Sequence, residues 1–374
     1  MLRLTVIMGT RPEIIKMAPI IHAARKAKHD VQVVLTGQHK EMVGPLLKAF
    51  DLSPDLELAV MVHNQGLAPL SEKILARFNE NKKALMESDF MVVQGDTTSA
   101  FIAAYWGFCN RISVAHIEAG LRTYDLTSPY PEEGNRQLIA RIAAVHFAPT
   151  SQAAEALHHE KVENIHNVGN TSIDALHFVL DKIKFCPLSD ILEIEPKIIA
   201  FIGSNKLVVV TAHRRESFGD GFEGICEGIL NLVGSRRNIR VVYPVHPNPN
   251  VRELVWNRLG LHPQILLCEP LGYVGFVALL RRADVILTDS GGIQEEGPTL
   301  RKPIVVMREK TERPEGVAAG FSILVGTDPK QIVRETLNGM DHGLKTHAAN
   351  PYGDGFSATR IIEILAKRVL ADQK

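Results

Sequence analysis

At 374 residues the chain exceeds the size at which a single hydrophobic core stops growing, so two domains are expected. A composition of 45% hydrophobic and 22% charged residues excludes a disordered chain. Lysine plus arginine equals aspartate plus glutamate at 42 each, which leaves no general basic excess for nucleic acid or an anionic membrane, and no apolar run reaches the ~18–20 residues of a bilayer span.

The chain begins on a strand-like run, Leu4–Met8, followed by Val31–Thr36, Phe90–Gln94, Ile112–His116 and Val145–Ala148, with helix-like stretches between them. Valine- and isoleucine-rich runs alternating with helices are the pattern of a parallel sheet covered on both faces. A second series repeats the rhythm: Leu207–Ala212, Ile239–Val245, Ile265–Cys268, Val285–Asp289 and Ile304–Met307. The stretch Lys182–Asn205 has no clear period, and the junction is placed shortly before it, near Asn170. Residues 1–170 and 171–357 are therefore expected to form two α/β domains. Apolar residues at helical spacing over 358–372 predict a final helix, with residues 358–374 packing back on the first domain. Cys109, Cys186, Cys226 and Cys268 are scattered, and no signal-peptide pattern opens the chain, so a reduced, cytoplasmic setting is expected.

Polar and reactive residues follow nearly every strand: Gly9-Thr10-Arg11, Gly37-Gln38-His39, Gly95-Asp96-Thr97, His116-Ile117-Glu118, His213-Arg214-Arg215-Glu216, His246 and Ser290-Gly291-Gly292. In open α/β sheets ligands bind beyond the carboxyl ends of the strands, so two such edges facing each other would form one polar cleft. Turn formation alone accounts for the glycines and some aspartates, but not for the arginines and histidines. Asp289–Glu296 passes from a strand through two glycines into a helix start, where unpaired N–H groups attract phosphate. Arg11 stands at a similar turn, and Lys16 lies one turn along the helix, either a phosphate ligand or a solvated face. Glu295 and Glu296 either complement the helix dipole or accept hydrogen bonds from ribose hydroxyls. Neither GxGxxG nor a Walker lysine loop is present, which argues against NAD and ATP. Asp96, Glu118 and Glu132 form a carboxylate set suited to acid/base work, with a helix cap at Thr97 the lesser alternative for Asp96. His146, His158 and His159 lack metal-ligand spacing.

These strings, with Pro131-Glu132-Glu133, Thr311-Glu312-Arg313-Pro314-Glu315 and Asn350-Pro351-Tyr352-Gly353-Asp354-Gly355, occur in the order found in bacterial non-hydrolysing UDP-N-acetylglucosamine 2-epimerases, which the chain resembles along nearly its whole length. The resemblance implies two Rossmann-like domains of GT-B type, a homodimer, and no metal or redox cofactor. It also implies interconversion of UDP-GlcNAc and UDP-ManNAc by loss of UDP to 2-acetamidoglucal and re-addition, supplying ManNAc for surface polysaccharide. By position, Arg11, Lys16, Ser290, Gly291, Gly292, Glu296 and Arg313 match nucleotide-binding residues, with Phe276 beside the uracil. Asp96, Glu118, Glu132 and His213 match catalytic positions, His213 assisting the leaving phosphate. Leu271 replaces a glutamine that contacts the base in some relatives. Gln38, Gln65, Arg214 and His246 match a second, activating substrate site, where Glu41 and Asn64 depart from some members. A GT-B glycosyltransferase, a hydrolysing epimerase and a nucleotide-sugar sensor are the rival readings.

Overall fold

Apolar runs such as Phe90–Gln94 and Val285–Thr288 are buried at every residue, because helices cover both sides of the strands they form. A computed structural model describes residues 1–37, 40–60, 65–214 and 218–372. Gln38, His39, Asn64, Arg215 and Glu216, and the side chain of Glu41, lie outside that description. The chain divides into two compact units, the first comprising Met1–Phe178 and Tyr352–Lys374, the second Val179–Pro351.

Unit 1 starts with β1 (Arg3–Met8), α1 (Arg11–Lys26), β2 (Asp30–Leu35), α2 (Lys40–Ala49) and β3 (Leu56–Glu57). It continues with α3 (Leu67–Glu80), α4 (Lys82–Leu85), β4 (Phe90–Gln94), α5 (Thr98–Cys109) and β5 (Ser113–Ile117). Then come α6 (Glu132–Ile142), β6 (Val145–Ala148), α7 (Ser151–His159), β7 (Ile165–Asn167) and α8 (Thr171–Lys182), the last running across the division between units. The seven strands are parallel in the order β3-β2-β1-β4-β5-β6-β7. Between β1 and β4 the winding direction reverses, and the strand ends there diverge to leave a crevice.

Unit 2 holds α9 (Pro196–Ile202), β8 (Lys206–Thr211), α10 (Asp220–Ser235), β9 (Ile239–Pro244), α11 (Pro249–Leu259) and β10 (Ile265–Cys268). It closes with α12 (Tyr273–Arg282), β11 (Val285–Thr288), α13 (Gly291–Leu300), β12 (Ile304–Val306), α14 (Pro314–Ala318), β13 (Ser322–Leu324) and α15 (Pro329–His342). Its parallel order β10-β9-β8-β11-β12-β13 repeats the winding of unit 1, with the reversal between β8 and β11. The ten strands expected from the sequence are all present; β3, β7 and β13 are additions of two or three residues at or near sheet edges, too short to show a period.

The final helix α16 (Ser357–Asp372) belongs to unit 1, where Ile361, Ile362 and Leu365 are buried. The chain is anchored there by backbone pairing of Asn170 N–H with Tyr352 O at 2.7 Å, and by Asp174, whose carboxylate accepts the Ala358 N–H at 2.8 Å. Gly169 adopts φ +92° at this junction, and a side chain on it would come within 2.7 Å of the Ser357 hydroxyl.

Candidate active site

In unit 1 the crevice between β1 and β4 is organised by a buried acid. Glu13, in the first turn of α1, is 1% exposed and reaches back to accept the N–H groups of Gly9 and Thr10 at 2.9 and 2.6 Å. The hydroxyls of Thr10 and Thr97 donate to the same carboxylate at 2.8 and 2.6 Å. Glu13 therefore ties the β1–α1 turn to the β4–α5 turn, and burial raises its pKa against those four donors. Arg11, beside it, is half-buried and has no ion-pair partner among the described residues, a cation left available at the strand end.

Two residues with left-handed backbones aim the acids. Gly95 (φ +68°) ends β4 and Glu118 (φ +60°) ends β5, so both strands break sharply at their carboxyl ends. Positive φ is rare outside glycine and marks a conformation that its surroundings must hold in place. Glu118 is held by hydrogen bonds from Lys16 and Gln94, with Asn170 Nδ2 at 3.5 Å. Lys16, matched by position to a nucleotide ligand, is thus paired with a carboxylate here. Glu132 opens α6, and its Oε2 is buried with no hydrogen-bond partner among the described residues. Asp96 follows Gly95, with Arg136 Nη1 3.5 Å from its Oδ2. Thr97, not Asp96, caps α5, its hydroxyl accepting the Ala100 N–H at 3.0 Å. Asp96 is thereby free of that structural duty.

Burial raises the Asp96 pKa to about 6, and the negative charges of Glu118 and Glu132 push the same way; Arg136 and Lys16 oppose them. A carboxyl that exchanges its proton near neutrality is what a site needs to perform both protonation and deprotonation. His116 is fully buried, donates Nε2–H to Gly95 O at 2.7 Å, and has its pKa lowered by burial to about 3. It is a neutral structural support for the Gly95 turn. His146 is likewise a core residue, bonded to Ala140 O and Glu163 O at 3.1 Å each.

In unit 2 the reversal between β8 and β11 brings His213 and Ser290-Gly291-Gly292 together. His213 and Ser290 line a cavity of about 160 Å³ with His246, Pro270, Phe276 and Ile293. Ser290 is the N-cap of α13 but makes no capping bond with its side chain, so the first-turn N–H groups of Gly291 and Gly292 are open to an oxyanion. Arg313 flanks this terminus: a Cβ on Gly291 would lie 3.1 Å from its guanidinium carbon, and its Nε donates to Glu295 at 2.8 Å. Glu296 is buried and accepts the Tyr273 hydroxyl at 3.2 Å. The imidazoles of His213 and His246 stack at 5.2 Å, and Arg214 follows His213 with its Nε buried. Phe276, Pro270 and Ile293 form apolar walls that suit a flat base, next to cations and N–H groups that suit a diphosphate.

Gln65 lies in unit 1, where it donates to Val60 O at 3.1 Å. Gln38 cannot be placed. Arg136, Glu13 and Asp289 also support these strand ends, although their residue types alone do not single them out in the sequence. Arg136 could have been found from its helical spacing of three from Glu133, with which it pairs at 2.9 Å.

Doubly wound units whose reversal points carry clustered acids in one case and an uncapped helix start beside a cation in the other are the architecture of α/β enzymes for nucleotide-activated substrates. The family model for UDP-N-acetylglucosamine 2-epimerase matches residues 22–366. A UDP-N-acetylglucosamine 2-epimerase of Salmonella typhimurium is 44% identical over 97% of this chain and 98% of its own length, and one of Yersinia pestis is 45% identical over the same shares. A solved UDP-GlcNAc 2-epimerase from Neisseria meningitidis, bound to UDP-GlcNAc, superposes with a TM-score of 0.87 at 38% identity, over 98% of this chain and 100% of that one. The chain belongs to the UDP-N-acetylglucosamine 2-epimerase family.

Proposed function

We propose that the protein is a non-hydrolysing epimerase that interconverts UDP-GlcNAc and UDP-ManNAc. The observation that carries this reading is Asp96, a carboxyl with a pKa of about 6 set beside two further acids at a strand end. C2–H of a pyranose is not acidic, so the reaction starts with departure of UDP from C1, whose developing positive charge acidifies C2. A carboxylate removes the C2 proton, the C–H electron pair forms the C1–C2 double bond, and the C1–O pair leaves on the β-phosphate of UDP. Protonation of C2 from the opposite face and re-addition of UDP give the epimer. Every step is redox-neutral, so no redox cofactor is required.

In this scheme Asp96, Glu118 and Glu132 move the protons, and Lys16 holds Glu118 in place. Ser290, Gly291, Gly292, Arg11 and Arg313 take the diphosphate, Phe276 the uracil and Glu296 the ribose, while His213 assists the leaving phosphate. Exposed Tyr105 and Phe108 on α5 and Leu138 on α6 offer an apolar face for a homodimer. We further propose a cytoplasmic role in supplying ManNAc for surface polysaccharide, and substrate activation through Gln38, Gln65, Arg214 and His246.

The test is incubation with UDP-GlcNAc in D2O, followed by NMR. Deuterium at C2 and UDP-ManNAc without any acceptor are expected. Free ManNAc as the main product, or no exchange at C2, would overturn the proposal.

A further inference from the structure

Asp289 ends the path from β11 into α13 and is 0% exposed. Its Oδ2 accepts two backbone N–H groups, those of His213 and Arg214, both at 2.7 Å. Its Oδ1 is buried with no hydrogen-bond partner among the described residues. The ring of the same His213 stands beside it, with Nδ1 3.4 Å from Oδ1. A buried carboxylate oxygen left without a donor is strongly unfavourable, so a small rotation of the imidazole toward it is favoured. The stack on His246, at an interplanar angle of 15°, confines that rotation to the plane of the ring.

We infer that Asp289 is a positioning residue for His213: it accepts the Nδ1–H of the imidazole, stabilises the imidazolium form, and leaves Nε2–H to meet the ligand's phosphate. This rests on the reading that His213 assists the departing diphosphate. With Nδ1–H committed to Asp289, a neutral His213 presents only a lone pair at Nε2, which would repel a phosphate; the cation presents a donor. The groups facing the ring set the balance. Burial lowers the His213 pKa, Asp289 opposes it, and His246 and Arg214 lower it further; the balance lies below the usual imidazole value, so the cation is favoured only when the negative phosphates of a ligand join Asp289 at the ring. When the C1–O electron pair passes to the β-phosphate oxygen, the imidazolium donates a hydrogen bond to that oxygen, and no proton need transfer. The same charge-stabilising arrangement of a buried carboxylate behind a histidine operates in the sites of unrelated hydrolases and metalloenzymes.

Asp289→Asn is the test, because the amide oxygen still accepts the two backbone N–H groups while an NH2 replaces the oxygen facing Nδ1. The His213 resonances are followed by NMR from pH 5 to 9, with and without UDP, beside kcat and KM for epimerisation. Wild-type His213 is expected to keep Nδ1 protonated throughout, and the variant to titrate at least about one pH unit lower. The variant's kcat at pH 7 should fall on the order of 100-fold, its activity partly recovering at lower pH, with KM changed less than about threefold. An unchanged titration, an Nε2–H neutral tautomer in wild type, or a rate loss equal at every pH would overturn the inference. Should the variant fail to fold, the wild-type tautomer alone decides. Absence of epimerisation by wild type would remove the proposed function while leaving the Asp289–His213 pair to be judged by NMR.

Discussion

Asp96→Asn should cost the protein its activity and make it more stable. A carboxyl that titrates at about 6 in the folded state instead of 3.8 carries a penalty on ionisation of about 3 kcal/mol, at about 1.4 kcal/mol per tenfold change in proton affinity. The folded pKa is the higher one, so the penalty is absent below pH 3.8, where the group is protonated in both states. It accumulates between 3.8 and about 6, where the unfolded chain ionises first, and is complete above that. Asparagine mimics the protonated form and escapes it. The variant's advantage should be about 1 kcal/mol at pH 4.5 and approach about 3 kcal/mol at pH 8. The side chain is 28% exposed, so the upper figure is a ceiling. For a unit of this size, about 3 kcal/mol raises Tm by roughly 6–12 °C. Calorimetric melts of both proteins from pH 4.5 to 8.5, following the transition of unit 1, provide the measurement. A Tm difference that does not grow with pH, or a variant less stable at pH 8, would refute the claim that burying the Asp96 charge strains this site.

Glu118→Gln should lower kcat on the order of 10²–10⁴-fold while UDP affinity, read by calorimetry, changes little; affinity lost in proportion to rate would instead make Glu118 a binding group. Gly291→Ala places a methyl 3.1 Å from the Arg313 guanidinium carbon and should weaken UDP binding about tenfold without lowering Tm, so undiminished affinity would remove Arg313 and this helix start from the diphosphate site. Glu13→Ala strands two backbone N–H groups and two hydroxyls, a loss of about 3 kcal/mol or more in a urea titration. Glu13→Gln keeps an acceptor, discards a charge that burial disfavours, and should lose far less; equal losses for the two would show that the charge, not the acceptor, organises the turn.

Ten strands, and the polar residues that follow them, were legible along the chain because burial on both faces leaves an unbroken apolar run whose ends stand out. The same reasoning reached Asp96, Glu118, His213 and Ser290-Gly291-Gly292, since each lies within a few residues of such an end. Edge strands β3, β7 and β13 were not legible, because unlike the equally short but fully buried β12 they are partly exposed and carry no unbroken apolar run. The partnerships were not legible either. Lys16 and Glu118 are 102 residues apart in the chain, and His213 and Asp289 are 76 apart. Residue types at strand ends already point to a two-unit α/β enzyme with acids in one half and glycine-rich, cation-flanked turns in the other. The Lys16–Glu118 pair, the burial that lifts Asp96 to about 6, and the approach of Asp289 to His213 arise when β1 pairs with β4 and β8 with β11. Charges and hydrogen bonds act over a few ångströms of space, and distance along the chain carries no record of them.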